Sequence, residues 1–164
     1  MVSRIGSRRL CAAARFLIPR YRSTLFFSEV PPGGCARVAL TIDDGICRGE
    51  AADSLAPAVV ELLQRHGARA TFFGVLTRRM RDVLARQRGM VHVLGDAYCD
   101  DWAVDDPAFI SRTLLRMAQP GSIIIMHMPE AKCRRWCLDA LRLLLEGLGE
   151  RGLACVTLSE LAAS

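Results

Sequence analysis

Two adjacent carboxylates, Asp43 and Asp44, follow a short apolar run and precede Gly45. A carboxylate can bind a cation, and a second carboxylate held near that charge stays ionised and can act as a general base. Because successive strand residues face opposite sides, the two could share one site only where the strand has broken into a loop, which Gly45 allows. Asp-Asp-Gly is also an ordinary turn sequence, so the motif alone leaves both interpretations open.

The run before these carboxylates predicts a buried strand. Val38, Leu40 and Ile42 share one parity, and β-branched residues favour a strand over a helix in so short a run. A helical pattern from Ser54 to Gly67 follows, which makes this segment the first half of a βα unit. Since ligands usually bind at the carboxyl ends of such strands, we expect Asp43 and Asp44 to face a ligand site.

Further apolar patterns continue this alternation. They predict strands over residues 70–75, 90–94, 122–126 and 153–157, and helices over 77–87, from Pro107 onward and over 136–148. Repeating βα units predict a mainly parallel sheet covered by helices, with right-handed connections.

Several of these segments resemble one family. Residues 38–45 resemble the first motif of the polysaccharide deacetylases, the NodB-homology family. Four later segments resemble later segments of that family in the same order: residues 62–73, 93–98, 120–127 and 152–161. The resemblance implies a distorted (β/α) barrel, and because about five βα strands are predicted here, we expect an incomplete α/β barrel of this type.

The sequence departs from the family between residues 76 and 80. There the resemblance implies a His-x-x-x-His pair, which with the second aspartate holds a divalent metal such as zinc, and then an Arg-x-Pro-x-Gly strand. Neither motif occurs, and His66, His92 and His127 are too far apart in sequence to replace the pair. Two βα units, roughly 60 residues at ~30 per unit, are missing from the expected pattern.

The resemblance also implies roles for individual residues. Asp43 would be the catalytic base, Asp44 a metal ligand, and His127, at the end of a strand, the general acid toward the leaving amine. Asp101 would orient the catalytic base, and Trp102 would stack on a sugar ring. The alternatives are a core histidine bonded to the backbone at position 127 and a solvated acidic loop around residues 96–102.

The leading hypothesis is therefore a metal-dependent carbohydrate deacetylase that hydrolyses the C–N bond of an N-acetylated amino-sugar polymer. One carboxylate rarely retains a catalytic metal without other protein ligands, so we expect no more than trace activity. The alternative is a catalytically inactive NodB-like remnant with at most a binding role. If the chain is active, His92 and Asp96 are the first candidates for substitute ligands.

Phosphoryl transfer at the paired aspartates is a third possibility, and the sequence argues against it. There is no glycine-rich phosphate loop, and the only lysine, Lys132, lies far from the first strand.

Composition limits the remaining classes. With 164 residues and 51% hydrophobic content, we expect one domain over residues 21–164. No stretch approaches the ~18 to 20 apolar residues of a membrane span. Six of the 22 basic residues and no acidic residue lie within residues 1–28, so the rest of the chain is close to neutral. That balance argues against a nucleic-acid surface.

The basic segment over residues 1–20 predicts a leader, because its Arg, Ser and Ala content without acid is typical of organellar transit peptides. A disordered basic tail is the alternative. The seven scattered cysteines form no Cys-x-x-Cys pair, so we expect reduced thiols. Cys133 and Cys137 are interpreted as packing residues on one helix face.

Overall fold

The structure, a computed structural model, describes residues 25–29, 34, 36–45, 51–74 and 93–163. Four features of the sequence analysis lie outside these residues: the basic leader, the helix expected over 77–87, the departure from the family at 76–80, and His92.

Strands and helices alternate through the described chain. The strands are β1 (Arg37–Asp43), β2 (Thr71–Phe72), β3 (Ile123–His127) and β4 (Ala154–Val156). The α-helices are α1 (Ala56–Arg65), α2 (Pro107–Met117), α3 (Trp136–Glu150) and α4 (Leu158–Ala162), and a 3-10 helix spans Ala51–Asp53.

The helix ends follow from local chemistry. Asp106 caps α2, because its Oδ1 accepts a hydrogen bond from the Phe109 N–H at 2.9 Å. Helix α4 was not predicted, although Thr157 and Glu160 form a capping box that starts it. Gly67 follows α1 with a φ of 58°, the left-handed conformation expected after a helix end.

Most of the strand predicted over 90–94 lies outside the described residues, and Val93 forms an isolated bridge with Leu25. Two other expectations about local structure were wrong. Among the described residues, the strand predicted over 70–75 is limited to Thr71–Phe72, which pair with Thr41 and Ile42 at the end of β1. Cys133 is exposed and precedes α3, so it does not share a helix face with the buried Cys137.

The strands form a parallel sheet with β1 at its centre. Strand β3 pairs with β1 in a register that runs from Ala39 opposite Ile123 to Asp43 opposite His127. Strands β2 and β4 also pair with β1, and both pairings are parallel. The predicted fold class, α/β with a mainly parallel sheet, is confirmed.

Both faces of β1 are covered. Val38, Leu40 and Ile42 pack in the main core with side chains of α1, α2 and α3. Ala39 packs on the opposite face, in a smaller cluster with Ile123, Val156 and Leu161. Since a one-residue slip would reverse these two faces, burial fixes the register of β1. The parity of β1 then places Asp43 on the face of Ala39.

Within the described ranges, no helix is long and apolar enough to cross a membrane.

Candidate active site

Asp43 and His127 end two adjacent parallel strands and are register partners. Their strands lie about 4.8 Å apart, and both residues have the parity that faces the smaller cluster. The N–H of Met128 donates to the carbonyl of Asp43 at 2.8 Å, so the pairing continues to the end of both strands. A carboxylate and an imidazole are therefore neighbours at the carboxyl edge of the sheet.

Asp101 orients the imidazole of His127. Its Oδ1 lies 2.8 Å from His127 Nδ1, and its Oδ2 accepts the backbone N–H of His127 at 2.8 Å. When the carboxylate accepts the Nδ1 proton, Nε2 is the ring nitrogen that gains and loses a proton. The two bonds fix both the tautomer and the direction of the ring.

Asp101 is itself held by helix α3. Its side chain is fully buried, and its carbonyl accepts hydrogen bonds from Trp136 Nε1 at 2.8 Å and from Cys137 Sγ at 3.3 Å. The first turn of α3 thereby places the Asp101 loop against the end of β3. Burial raises the pKa of the Cys137 thiol, aided by the negative charge of Asp101, so the thiol stays protonated and can donate.

Gly95 allows the chain to reach Asp101 alongside β3. Its φ is 70°, and an added Cβ would lie 2.8 Å from the Ile123 carbonyl oxygen, closer than real contacts allow. Asp96 follows, and its carboxylate accepts from the Ile123 N–H at 2.8 Å and from Ser122 Oγ at 3.1 Å. These bonds lie at the amino end of β3, away from Asp44. Asp96 therefore stabilises the start of β3, and its role as a substitute metal ligand stays a prediction.

Asp44 leaves the strand and meets an arginine. Its φ of 55° turns the chain out of β1. Asp43 and Asp44 can share one site only if the strand ends in this way. Asp44 Oδ2 accepts a hydrogen bond from Arg134 Nη1 at 2.9 Å, and Arg134 Nη2 donates to Glu130 Oε1 at 3.3 Å. The arginine side chain is only 9% exposed. The carboxylate predicted to bind a metal is thus in an ion pair.

The pKa values of Asp43 and His127 are both raised. Burial raises the pKa of Asp43, and the nearby His127 partly offsets this effect. The hydrogen bond that His127 donates to Asp101 raises the pKa of His127 above its usual 6.5, against the opposing effect of burial. An ionised Asp43 also favours the protonated imidazole. The pair is suited to the state in which Asp43 is a base and His127 an acid.

The described residues do not fit a divalent metal. They contain no group of three His, Cys, Asp or Glu side chains placed to hold an ion. His66 follows α1 and lies near the start of β2, at the opposite edge of the sheet from Asp44. Since Asp44 is already paired with Arg134, the metal set implied by the resemblance is not formed by this part of the chain.

An open cleft of about 480 Å³ lies at this edge of the sheet. It is lined by Asp44, Trp102, His127, Glu130, Cys133 and Arg134. The side chain of Trp102 is exposed, so its ring face is available to a ligand. The cleft is large enough for a sugar unit and combines an aromatic ring with acid–base groups.

The structure brings together the residues that the sequence analysis selected. Asp44, Trp102 and His127 line the cleft, Asp43 lies beside His127, and Asp101 supports His127 from behind. Their roles stay predictions. Sequence reasoning missed Arg134, Glu130 and Trp136. The four-residue spacing of Glu130 and Arg134 is the only signal in the sequence, and it normally indicates a helical pair, whereas this segment is not helical.

The fold is similar to that of solved deacetylases of carbohydrate esterase family 4. The peptidoglycan N-acetylglucosamine deacetylase Bc1960 matches with a TM-score of 0.67 and 18% identity, over 90% of this chain and 96% of that one. Bacillus subtilis PdaA, a family 4 carbohydrate esterase, matches with a TM-score of 0.62 and 16% identity, over 92% and 89%. These likenesses confirm the NodB-like fold, as an incomplete barrel.

A mutant of BA3943, described as a family 4 pseudoenzyme with restored enzymatic activity, is also similar. Its TM-score is 0.62 and its identity 17%, over 84% of this chain and 70% of that one. The same fold therefore includes proteins that have lost activity. No protein-family model and no curated protein matches the chain.

Proposed function

We propose that this protein is a carbohydrate deacetylase that removes the N-acetyl group from an amino-sugar polymer. The observation that carries the proposal is the placement of Asp43 beside His127, with Asp101 bonded to His127 Nδ1. Two neighbouring ionisable groups with distinct environments, one of which lines a cleft, suit acid–base hydrolysis of an amide. The deacetylases that share the fold support the same chemistry.

Asp43 is the base in this proposal. Its ionised carboxylate accepts a proton from a water molecule while the water oxygen attacks the acetyl carbonyl carbon. A tetrahedral intermediate with a negative oxygen results. The raised pKa of Asp43 makes it a stronger base than an exposed aspartate, since proton affinity follows pKa.

His127 is the acid. Its Nε2 proton passes to the sugar nitrogen as the C–N bond breaks, which releases a free amine and acetic acid, and the acid then loses its proton to solvent to give acetate. Asp101 favours the protonated ring before this step and keeps it correctly directed during the transfer. The proton taken by Asp43 then restores His127, so the two residues return to their starting states.

Trp102 supplies substrate recognition. Its exposed ring forms one wall of the cleft beside His127. The apolar face of a pyranose ring packs on such a side chain and gains from burial of both surfaces. We therefore propose that the substrate is an N-acetylated glycan and that the acyl group removed is acetyl. Chitin and peptidoglycan are the two natural sources of such a glycan.

The test is acetate release from an N-acetylated chito-oligosaccharide by the untagged full chain. We expect slow release that is abolished by Asp43→Asn and by His127→Gln. Asp105→Asn is the matched control, because Asp105 is an exposed aspartate outside the cleft. Release that is equal in wild type and Asp43→Asn would refute the proposal.

A catalytically inactive, carbohydrate-binding remnant is the second candidate. It is favoured by the ion pair between Asp44 and Arg134, which engages the carboxylate that the resemblance gives to a metal. This candidate predicts oligosaccharide binding without any acetate release, even after long incubation. The same assay therefore separates the two functions.

A further inference from the structure

The cation beside Asp44 is the side chain of Arg134. We propose that the guanidinium of Arg134 is the resident cation of this site, and that Asp44 serves to position Arg134 and does not bind a metal. The inference rests on the proposed location of the active site but not on its turnover.

Two contacts and one strained backbone angle carry this inference. Arg134 Nη1 donates to Asp44 at 2.9 Å and Nη2 donates to Glu130 at 3.3 Å, so one cation lies between two carboxylates. Both carboxylates are nearly buried, with side chains 16% and 9% exposed. Buried carboxylates require a counter-charge, and Arg134 already supplies it.

The backbone of Arg134 is strained, so placing its side chain here costs conformational free energy. Its φ is 59°, a conformation that residues other than glycine adopt rarely and with strain. A glycine would be the expected residue at such a position if the side chain contributed nothing. The ion pair is the compensating interaction that the structure shows.

The guanidinium also remains charged and faces the cleft. Burial opposes its charge, but the hydrogen bond to Asp44 and neighbouring negative charge outweigh this effect and raise the pKa of Arg134. Its Nε is buried and has no hydrogen-bond partner among the described residues. Arg134 lines the cleft together with His127, so the cation held by Asp44 and Glu130 is part of the cleft wall.

The first test measures zinc, independently of catalysis. Untagged wild-type chain is dialysed with zinc, its zinc content is measured by elemental analysis, and thermal unfolding is followed with zinc and with EDTA. We expect no stoichiometric zinc and the same unfolding midpoint in both conditions. Stoichiometric zinc that is lost in Asp44→Asn would overturn the inference.

The second test uses the backbone angle. Arg134→Gly removes the ion pair but also relieves the strain at positive φ, whereas Arg134→Gln removes the ion pair and keeps the strain. We expect both variants to unfold at a midpoint lower by roughly 4 °C or more, with no change in the exposed neighbour variant Arg135→Gln. An unchanged midpoint in Arg134→Gln would overturn the inference, because it would mean that the guanidinium contributes nothing to this site.

These outcomes are separable from the proposed function. Bound zinc with acetate release that depends on Asp43 would refute the resident-cation inference and leave the deacetylase proposal standing. Absence of both zinc and acetate release would refute the deacetylase proposal and support the inference. If the Arg134 variants do not fold, the wild-type zinc measurement still decides the question.

Discussion

Asp101 holds His127 through both of its carboxylate oxygens, one on the ring Nδ1 and one on the backbone N–H. The two bonds position the imidazole with respect to β3 and determine which nitrogen titrates. Asp101 lies 26 residues before His127 in the chain, so the contact exists only because the 93–101 segment runs alongside β3. The position of this imidazole is thus set by two distant parts of the chain.

Replacing Asp101 should lower the pKa of His127. In Asp101→Asn the imidazole loses the hydrogen bond and the negative charge that favour its protonated form, while the opposing effect of burial remains. The measurement is an NMR titration of the His127 ring protons in wild type and variant. An unchanged or higher pKa would show that Asp101 does not act on the ring.

Stability should fall as pH rises through the His127 titration. The folded-state pKa of His127 lies above its ordinary value of 6.5, so the stabilising contribution is full below the unfolded pKa and is lost above the folded one. We expect the free energy of unfolding of wild type to decrease relative to His127→Gln between about pH 6 and pH 9. Urea unfolding across that range checks this, and a difference that grows with pH would contradict it.

Trp136 should contribute measurably to stability through its hydrogen bond to the Asp101 carbonyl. Trp136→Phe keeps an aromatic ring but removes the donor, and we expect a loss of about 1 kcal/mol. Trp102→Phe is the matched control, since Trp102 is exposed and its replacement should change stability by less than about 0.5 kcal/mol. Urea unfolding followed by circular dichroism compares them. Equal losses would mean that the hydrogen bond contributes nothing.

Trp102 should matter for binding while leaving stability unchanged. Trp102→Ala is expected to weaken binding of an N-acetylated chito-oligosaccharide roughly 2- to 10-fold, as loss of one aromatic contact predicts. Phe109→Ala is the control, because Phe109 is an exposed aromatic that lines a different groove. Isothermal titration calorimetry gives both affinities. Equal weakening by the two variants would argue against a sugar platform at Trp102.

The sequence predicted the elements whose pattern is periodic and buried. Strand β1 and strand β3 were recognisable from apolar parity, and parallel topology required their carboxyl ends, and therefore Asp43 and His127, to lie at one edge. Helix α3 was recognisable from its apolar stripe. These features depend on local periodicity, which a single sequence contains.

The sequence did not predict the partner of Asp44. Arg134 lies 90 residues after Asp44, in a segment that is neither helix nor strand. Its positive φ is also a conformation that arginine rarely adopts, so the sequence did not indicate it. The lost ligand motif did indicate that a metal would be poorly held. It gave no indication that another cation of the same chain pairs with the carboxylate.

The pH dependence of acetate release tests the account most directly, because it reports the base and the acid separately. We expect kcat/KM to rise as Asp43 ionises, at a pH above its ordinary 3.8, and to fall as His127 loses its proton above 6.5. In Asp101→Asn the alkaline limb should move to lower pH, and the acid limb should remain above the ordinary value for aspartate. A wild-type profile without an alkaline limb, or one that Asp101→Asn leaves in place, would contradict the assignment of His127 as the acid.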